Sequence, residues 1–276
     1  MIQSLIKKIL VFVLLAVIAR DQLLNSKPKF GDQMMDEHRD HLVIWNVGQG
    51  LWTTWRTKYF CWHFDMGGEK APWSLIEQFC QNKYNLVSLS HWDFDHIRFA
   101  SQARSRLQNF CVMHEPEGPP SALGRSQFQT LPHCHRLDLQ KKLPIHFEQV
   151  VQINIKKPNP DKIKDRNSFS RVFVLLNTIL LPGDSPKTQE KDWSHKMDLS
   201  QIQWLLLGHH GSRTSTSYEL LKQLPSLKQS IASARQKKYG HPHVETVKKV
   251  KKVGATLIRN EDWGSLIFEL PFHRSK

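Results

Sequence analysis

Four side chains that commonly bind metal ions lie within six residues of the sequence, at positions 91 to 96, which read His-Trp-Asp-Phe-Asp-His. They follow an apolar run, 86 to 90, that has the length and composition of a buried strand. Imidazole and carboxylate together suit a divalent cation such as Zn²⁺ or Mn²⁺, and such a cation activates water. The segment therefore predicts a metal-dependent hydrolytic site at the end of a strand.

Two other apolar runs end in the same kinds of side chain. One leads into Pro-Gly-Asp, which places Asp184 in a turn, and the other into Gly-His-His, which places His209 and His210 at a strand end. Three strand ends that each carry histidine or aspartate are what a convergent metal site requires. The sequence thus predicts one site that is assembled from distant parts of the chain.

The spacing within the segment 91–96 indicates two cations rather than one. His91 and Asp93 leave their strand as alternate residues, so both can face one cation. Asp95 and His96 are offset from them and can face a second cation. A two-metal site can hold a bridging hydroxide and stabilise both the attacking and the leaving oxygen of a displacement.

The elements that must position these side chains are short strands with intervening helices. Such a pattern predicts two sheets packed together with helices outside. We expect strands at 42–47, 51–56, 59–64, 86–90, 110–113, 145–155, 171–181, 202–207, 229–233, 256–259 and 265–270, and helices at 72–81, 94–107, 218–224 and 244–253.

The charge balance is strongly basic, with 39 Lys+Arg against 25 Asp+Glu in 276 residues and a formal net charge of +14. Such a surface favours a polyanionic partner, namely nucleic acid, teichoic acid or anionic lipid, although basic charge also serves solubility. The lysines of the segment 248–252 belong to a solvated helix face or, together with Arg235, Lys237 and Lys238, contact phosphate.

The first 26 residues resemble an export signal. Lys7 and Lys8 precede an apolar run at 9–19, which is short for a membrane span. We expect a signal peptide or an uncleaved membrane anchor, with a buried helix as the alternative, then a linker at 27–41 and one domain at 42–276. The protein would be periplasmic or extracellular. Export permits disulfides among Cys61, Cys80, Cys111 and Cys134, and all three pairings remain open.

Six motifs in this order resemble the metallo-β-lactamase superfamily, and most closely the metallo-hydrolase domain of ComEC competence proteins. They read Asn-Val-Gly-Gln-Gly-Leu at 46–51, Phe-Asp-Met-Gly-Gly at 64–68, Ser-His-Trp-Asp-Phe-Asp-His-Ile at 90–97, Leu-Leu-Pro-Gly-Asp at 180–184, Gly-His-His-Gly-Ser-Arg-Thr-Ser at 208–215 and Tyr-Gly-His-Pro-His at 239–243. The resemblance extends over about residues 42 to 270.

The resemblance implies an α/β fold, a four-layer αββα sandwich with a site for two divalent metal ions at one edge. It implies that Asp184 bridges the metals and that Asp65 supports the ligand loop. The implied metal ligands are His91, Asp93, Asp95, His96, Asp184 and one of His209 and His210. We choose His209, which comes first off its strand, and give His210 a catalytic or substrate role.

The same resemblance implies the residues that meet the substrate. Asp95, His210 and His241 form the expected catalytic set, and His241 would protonate a leaving oxygen or touch a phosphate. The expected substrate-binding residues are Ser212, Arg213, Thr214, Tyr239, Lys237 and Lys238. Trp92 stacks on bases of a single strand or packs in the core.

An exported metal-dependent phosphodiesterase, a nuclease acting on DNA, is the leading functional hypothesis. The alternatives are hydrolysis of another anionic phosphodiester or of a lactam, and a non-catalytic DNA-binding or assembly role. Two departures from the family pattern bear on activity. Asn46 and Leu51 replace acids, and Arg98-Phe99 replaces Gly-Gly, which predicts a less permissive backbone beside the ligands. His114, with His133 and His135 as rivals, is the candidate for an additional metal-site histidine.

Overall fold

Two six-stranded sheets form the centre of the protein in this computed structural model, which describes residues 39–120, 122–143, 147–153, 155, 159 and 165–270. The first sheet has the order β12-β1-β2-β3-β4-β5. Its strands are β1 (His41–Ile44), β2 (Thr53–Arg56), β3 (Phe60–Phe64), β4 (Tyr84–Ser88), β5 (Phe110–His114) and β12 (Leu266–Glu269). The three neighbours β3, β4 and β5 run parallel, and the other pairs are antiparallel.

The second sheet has the order β11-β10-β9-β8-β7-β6. Its strands are β6 (Val150–Ile153), β7 (Val172–Leu175), β8 (Ile179–Leu181), β9 (Trp204–Leu206), β10 (Gln229–Ala232) and β11 (Thr256–Arg259). Strands β8 to β11 are parallel, whereas β6, β7 and β8 form antiparallel pairs. Both sheets therefore contain parallel strands, whose carboxyl ends are available to carry a site.

Helices lie between the strands in both halves. They are α1 (Trp73–Phe79), α2 (Phe94–Ile97), α3 (Ala100–Arg106), α4 (Ala122–Phe128), α5 (Arg136–Lys142), α6 (Lys187–Trp193), α7 (Tyr218–Lys222), α8 (Gln236–Tyr239), α9 (Val244–Lys252) and α10 (Asn260–Trp263). The sequence predicted one helix at 94–107, but the structure divides it into α2 and α3 at Arg98 and Phe99. Short 3₁₀ turns at Phe147–Gln149, Arg166–Phe169 and Gly208–Gly211 complete the described elements.

The two faces of each sheet are buried against different layers. In β3, Trp62 and Phe64 point into the core between the sheets, where the rings of Phe64 and Phe173 meet edge-on at 5.3 Å. In β7, the alternate residues Val172 and Val174 point the other way, into a second apolar cluster that also contains Trp193 of α6. Because side chains alternate along a strand, each sheet can bury both faces.

Helix α1 covers the outer face of the first sheet. The rings of Trp45 and Phe79 meet at 5.6 Å and those of Trp52 and Trp73 at 5.1 Å, each in an edge-on contact. Burial of each such large side chain contributes about 1.5–3 kcal/mol. With helices outside both sheets, the architecture is the four-layer αββα sandwich expected from the sequence, and that expectation is confirmed.

Two disulfides select one of the three pairings that the sequence left open. Cys61 in β3 is bonded to Cys80 at the end of α1, and Cys111 in β5 is bonded to Cys134. The first bond attaches the helical layer to the sheet, and the second attaches the edge strand to the segment that precedes α5. Both cross-links lie in the half of the molecule that contains the first sheet.

The expected export segment, 1–26, and most of the expected linker, 27–41, lie outside the described residues. The first described strand, β1, begins at His41, and the expected domain boundaries stay a prediction. Within the described part of the chain, no helix has the length and apolar character that a membrane crossing needs.

Candidate metal centre

Histidines and aspartates from four strand ends meet at one edge of the two sheets. Asp65 directly follows β3, and His91 lies three residues beyond the end of β4. From the second sheet, Asp184 follows β8 by three residues, and the His209-His210 pair follows β9. The tips of parallel strands in two packed sheets thus bring together residues that are more than a hundred positions apart in sequence.

The first group of donor atoms comes from three buried residues, His91, His96 and Asp184, whose candidate ligand atoms all lie within 4.8 Å of one another. His96 Nε2 lies 3.1 Å from Asp184 Oδ1, and His91 Nε2 lies 3.9 Å from Asp184 Oδ2. Asp93 is nearby, with its Oδ2 at 3.5 Å from His91 Nε2. Three buried donors and one half-buried carboxylate therefore face a common point.

The hydrogen bonds of His91 and His96 leave Nε2 as the inward-facing atom of each ring. His96 Nδ1 meets Asp65 Oδ2 at 2.7 Å, so Nδ1 carries the proton and Nε2 presents its lone pair. Neither Nε2 atom has a well-aligned hydrogen-bond partner among the described residues, although both are fully buried. Lone pairs that face a carboxylate repel it unless a cation lies between them. The residues present therefore fit a metal ion.

A second group of donor atoms consists of Asp95, His96 and His210. His210 Nε2 lies 3.1 Å from Asp95 Oδ2 and 3.8 Å from Asp184 Oδ2. The other nitrogen of His210, Nδ1, donates to the carbonyl oxygen of Ser233 at 3.0 Å, so Nε2 faces inward, towards the carboxylates. The two groups of donor atoms overlap, because His96 belongs to both and Asp184 Oδ2 also lies 3.8 Å from His210 Nε2.

The His209-His210 turn places the two rings in different environments. Both residues have left-handed backbone, with φ of 48° and 56°, so the chain curls sharply after β9. His210 is buried beside Asp95, whereas His209 is more exposed and its Nδ1 meets Thr214 Oγ1 at 3.2 Å. The Nε2 atoms of both rings lie 3.8 Å from Asp184 Oδ2, and that of His210 also lies 3.1 Å from Asp95 Oδ2. The left-handed turn thus directs both rings towards Asp184 and brings the His210 ring to Asp95 as well. The expected choice of His209 as the ligand stays a prediction.

The electrostatics of the site favour positive charge at the imidazoles. Burial alone would raise the pKa of Asp184, but the charges of His96 and His210 outweigh it and hold that pKa well below its usual value. Burial likewise opposes protonation of His96, but the carboxylates of Asp184 and Asp65 raise its pKa well above the ordinary value. The pKa of Asp95 is also lowered, against its burial, chiefly by the hydrogen bond with His210. Such a pocket stabilises a proton or a metal ion at the same nitrogens.

Asp65 and Gly67 allow the ligand segment to lie against the end of β3. Both carboxylate oxygens of Asp65 accept from Ser90, from its N–H at 2.7 Å and its hydroxyl at 2.8 Å. The backbone at Gly67 passes so close to the segment that a Cβ there would lie 2.1 Å from the carbonyl carbon of Asp95. A side chain at position 67 would therefore push the ligand segment away, which explains the glycine in this motif.

Arg98 and Phe99 do not need the conformational freedom of glycine. Their backbone angles, φ −46° and φ −101°, lie in the right-handed helical region that any residue adopts. Nη1 of Arg98 donates to the carbonyl oxygens of Gly68 and Glu69, both at 3.1 Å. The less permissive backbone that we expected at these two positions is therefore compatible with the site, and Arg98 fastens the loop that follows Asp65.

Arg166 and Ser170, which lie between the expected strands at 145–155 and 171–181, reach the site although the sequence analysis gave them no role. Ser170 Oγ accepts from the N–H of Asp184 at 3.1 Å and lies 3.2 Å from His91 Nδ1. Arg166 Nη1 lies 3.4 Å from Asp93 Oδ1. The one available signal was the position of this segment directly before a predicted strand, which is too general to single out these residues.

The mouth of the site is formed by the segments that contain Gln49, Ser212 and His241. His241 Nδ1 lies 3.3 Å from Gln49 Nε2, and its ring centre is 5.9 Å from that of His209. Burial and the neighbouring histidine charges lower the pKa of His241 to about 4. Ser212 Oγ and Thr214 Oγ1 are 2.9 Å apart, and the latter contacts His209. The remaining expected substrate-binding residues are exposed, namely Arg213, Lys237, Lys238 and Tyr239.

The aromatic residue that is exposed beside the ligands is Phe94 and not Trp92. Trp92 is buried edge-on against Phe128, with ring centres 5.2 Å apart, so the packing role holds and the base-stacking role was wrong. Phe94, which lies between two acids of the ligand segment, is 56% exposed. Strand alternation does not apply here, because α2 begins at Phe94 and turns its ring outward.

The three rival histidines fall outside both groups of donor atoms. His114 stacks on Trp62 with ring centres 6.5 Å apart, and its Nδ1 is 2.7 Å from Ser88 Oγ. His133 is paired with Glu115 at 3.2 Å, and His135 is exposed at the start of α5. Among the described residues, the donor groups thus contain none of them.

Comparison with known proteins identifies both the fold and the relatives in sequence. No family model matches the chain. The chain is 26% identical over 258 residues to "Competence protein ComA" of Neisseria gonorrhoeae, covering 90% of this chain and 35% of that protein. It is 24% identical over 119 residues to "ComE operon protein 3" of Bacillus subtilis, covering 42% of this chain and 15% of that protein.

A third relative, "Recombination protein 2" of Haemophilus influenzae, is 31% identical over 107 residues, covering 38% of this chain and 13% of that protein. The chain thus spans about a third or less of the length of these relatives. Among solved structures, the metallo-β-lactamase fold protein YhfI from Bacillus subtilis matches with a TM-score of 0.52 and 12% identity, over 84% of this chain and 100% of that one. The chain therefore has the metallo-β-lactamase fold, and its sequence resembles competence proteins.

Proposed function

We propose that this protein is a metal-dependent phosphodiesterase, and specifically a nuclease that acts on DNA. The observation that carries the proposal is the pair of fully buried Nε2 atoms of His91 and His96, which face Asp184 without a hydrogen-bond partner among the described residues. Imidazole and carboxylate donors suit Zn²⁺ or Mn²⁺. A pair of such ions bound here would activate water and neutralise charge on a phosphodiester.

We assign the ligands to two positions that share Asp184. The first position has His91, Asp93 and Asp184 as its donors. The second has Asp95, His96 and His210, again with Asp184. His210 takes the ligand role in place of His209, because its Nε2 lies 3.1 Å from Asp95 and its Nδ1 is fixed by Ser233. His209 then faces the substrate side.

Other residues of the chain bind and orient the substrate in this proposal. The side-chain amide of Gln49 donates to His241 Nδ1, since its oxygen already accepts from the N–H of Arg235. His241 therefore carries its proton on Nε2, where it can donate a hydrogen bond to a leaving oxygen. Arg166, beside Asp93 and at the open side of the site, supplies a guanidinium for a phosphate oxygen.

DNA is the proposed substrate because charge and an exposed aromatic side chain favour it. The net charge of +14 supplies affinity for a polyanion, and a neutral lactam would gain nothing from it. Phe94 offers a surface on which a base of a single strand can stack. The names of the relatives refer to competence and recombination, which agrees with DNA as the polyanion.

We further propose that the protein is exported, to the periplasm or the extracellular space, or held at a membrane by its N-terminal segment. All four cysteines are paired in disulfides, which form and persist in oxidising compartments. Detection of the full chain in the periplasmic, membrane or extracellular fraction tests this point, and a purely cytosolic protein with reduced cysteines contradicts it.

The test of activity uses the full chain loaded with Mn²⁺ or Zn²⁺ and compares wild type with Asp184→Asn. We expect cleavage of single- or double-stranded DNA by the wild type and loss of cleavage in the variant. A protein that binds two metal ions yet cleaves neither DNA nor a small phosphodiester contradicts the proposal. Binding of DNA without cleavage would then indicate the non-catalytic role, and turnover of a lactam alone would indicate a different hydrolase.

A further inference from the structure

Glu69 binds four donors from two different segments at the mouth of the site. Its Oε2 accepts from the N–H of Gln49 at 3.1 Å and from Arg235 Nη1 at 3.0 Å. Its Oε1 accepts from Lys238 Nζ at 2.7 Å and from the hydroxyl of Tyr239 at 3.1 Å. One carboxylate thus occupies a cradle made of two cations, a phenol and a backbone N–H.

This cradle adjoins the metal centre. Gln49, whose N–H belongs to the cradle, also contacts His241 through its side chain, and His241 faces His209. The carboxylate is held so close to the loop after β1 that a Cβ at Gly48 would lie 2.4 Å from Glu69 Oε2. A path of direct contacts therefore leads from the cradle to the proposed site of hydrolysis.

The donors of the cradle are those that a phosphate group requires. A phosphodiester presents two charged oxygens, and arginine and lysine bind them through charge-assisted hydrogen bonds. Burial would raise the pKa of Glu69, but hydrogen bonds from Lys238, Gln49, Arg235 and Tyr239 outweigh it and lower the pKa to about 2, which reflects a strong preference for an anion.

The contacts of Glu69 with the two cations are also open to water. The side chains of Arg235 and Lys238 are 45% and 53% exposed, and that of Glu69 is 24% exposed. Ion pairs at such positions are weak, because water and salt screen them. A carboxylate bound to such an exposed pair of cations can be displaced by another anion without disruption of the core.

We propose that Arg235, Lys238, Tyr239 and the N–H of Gln49 form a subsite for a non-scissile phosphate of the substrate, and that Glu69 occupies this subsite until a substrate phosphate displaces it. The inference rests on the proposed function, because it takes a phosphodiester polyanion as the substrate. It extends that function, because the Glu69 carboxylate competes with a substrate phosphate for the subsite. This competition weakens substrate binding and favours chains that have a phosphate at this distance from the scissile bond.

The test measures binding of a fluorescein-labelled single-stranded oligodeoxynucleotide to the full chain by anisotropy, in chelator and over a range of salt concentrations. Glu69→Gln removes the competing charge and keeps the size of the side chain. We expect it to bind roughly fivefold more tightly than wild type at ~0.1 M salt, with a salt dependence that is steeper by about one phosphate contact. Chelator separates this binding from any cleavage.

Glu77→Gln is the matched control, since it removes a carboxylate of α1 that pairs with Arg106 of α3 at 2.7 Å, away from the cradle. The Arg235→Gln/Lys238→Gln double variant removes the subsite itself. In that background, Glu69→Gln should give no gain in affinity. Thermal melting of every variant shows that the fold is retained.

The outcomes separate the inference from the proposed function. If wild type binds the oligonucleotide but Glu69→Gln binds no more tightly than Glu77→Gln, the inference is overturned and the proposed function stands. Weaker binding by Glu69→Gln also overturns it, because Glu69 would then serve to hold the 235–239 segment in place. If wild type and all variants fail to bind any DNA, the proposed function and the inference both fall.

Discussion

His96 donates through Nδ1 to Oδ2 of Asp65 at 2.7 Å, and this single contact decides which nitrogen of His96 faces Asp184. A histidine can present either nitrogen to a metal ion, and the hydrogen bond at the other nitrogen selects between them. Asp65 is anchored in turn by the N–H and the hydroxyl of Ser90. The orientation of the central histidine is therefore set from β3 and not by the ligand segment alone.

Asp65→Asn should weaken metal binding by roughly 10- to 100-fold, because the amide cannot accept from Ser90 and His96 in the same way. Metal affinity is measured by titration of the metal-free protein with Mn²⁺ or Zn²⁺. The control is Asp262→Asn, which removes an exposed carboxylate that is paired with Arg259. Equal affinity in Asp65→Asn and the control would show that Asp65 does not orient a ligand.

His210→Ala should leave the protein with only one of two bound metal ions, because His210 is the buried partner of Asp95 in the second position. His209→Ala should retain both ions, since that ring is more exposed and contacts Thr214. Metal content per chain after dialysis, measured by elemental analysis, gives the answer directly. The reverse pattern would restore the assignment that the order along the sequence favoured.

Phe94→Ala should weaken binding of single-stranded DNA by about 1–3 kcal/mol, the usual contribution of one aromatic side chain that stacks on a base. The measurement is anisotropy with a labelled oligonucleotide in chelator. Tyr59→Ala is the matched control, because Tyr59 is a comparably exposed aromatic residue at 44%. If the two variants bind equally well, Phe94 does not contact the strand.

His63 should make the protein less stable below neutral pH. The ring is fully buried, with Trp52 Nε1 donating to its Nδ1 at 3.1 Å, and burial lowers its pKa from 6.5 to about 4. Between pH 6.5 and 4, the unfolded chain binds a proton at His63 that the folded chain does not bind. The free energy of unfolding is therefore at its full value above pH 6.5 and falls by about 3 kcal/mol in total as the pH drops towards 4.

His63→Gln should remove that part of the pH dependence, which denaturant unfolding at pH 7, 6, 5 and 4 would measure. His114 has its pKa lowered to about 4 as well, mainly by burial, so some pH dependence should remain in the variant. A His63→Gln protein with the same pH profile as wild type would show that His63 is protonated in the folded state.

Each disulfide should contribute about 3 kcal/mol, as expected for loops closed over 19 and 23 residues. Cys61→Ser/Cys80→Ser and Cys111→Ser/Cys134→Ser are compared with wild type by denaturant unfolding, with and without reductant. Mass spectrometry of peptides from the unreduced protein checks the pairing itself. A mixed pairing, or wild-type stability in both double variants, would contradict this assignment.

Much of the fold could be predicted from the sequence, because short apolar runs bounded by turn residues indicate strands without any knowledge of tertiary contacts. The runs at 59–64 and 229–233 contain the observed strands Phe60–Phe64 and Gln229–Ala232, and the glycine at 67 fits a close backbone approach. The predicted helix at 94–107 was too long, because one helix ends before Arg98 and the next begins after Phe99. The break lies where Arg98 binds the loop that follows Asp65. That loop comes from a distant strand, so no local pattern could reveal it.

The sequence by itself determined which donors are present and that they stand at strand ends, because ligand type and strand alternation are local properties. Only the tertiary structure decided that His210 turns towards Asp95, that Phe94 is exposed while Trp92 is buried, and that Glu69 lies among the cations of the mouth. Each of these facts depends on how two sheets meet at one edge. Such contacts join residues as far as 192 positions apart, and their geometry is fixed by packing rather than by spacing.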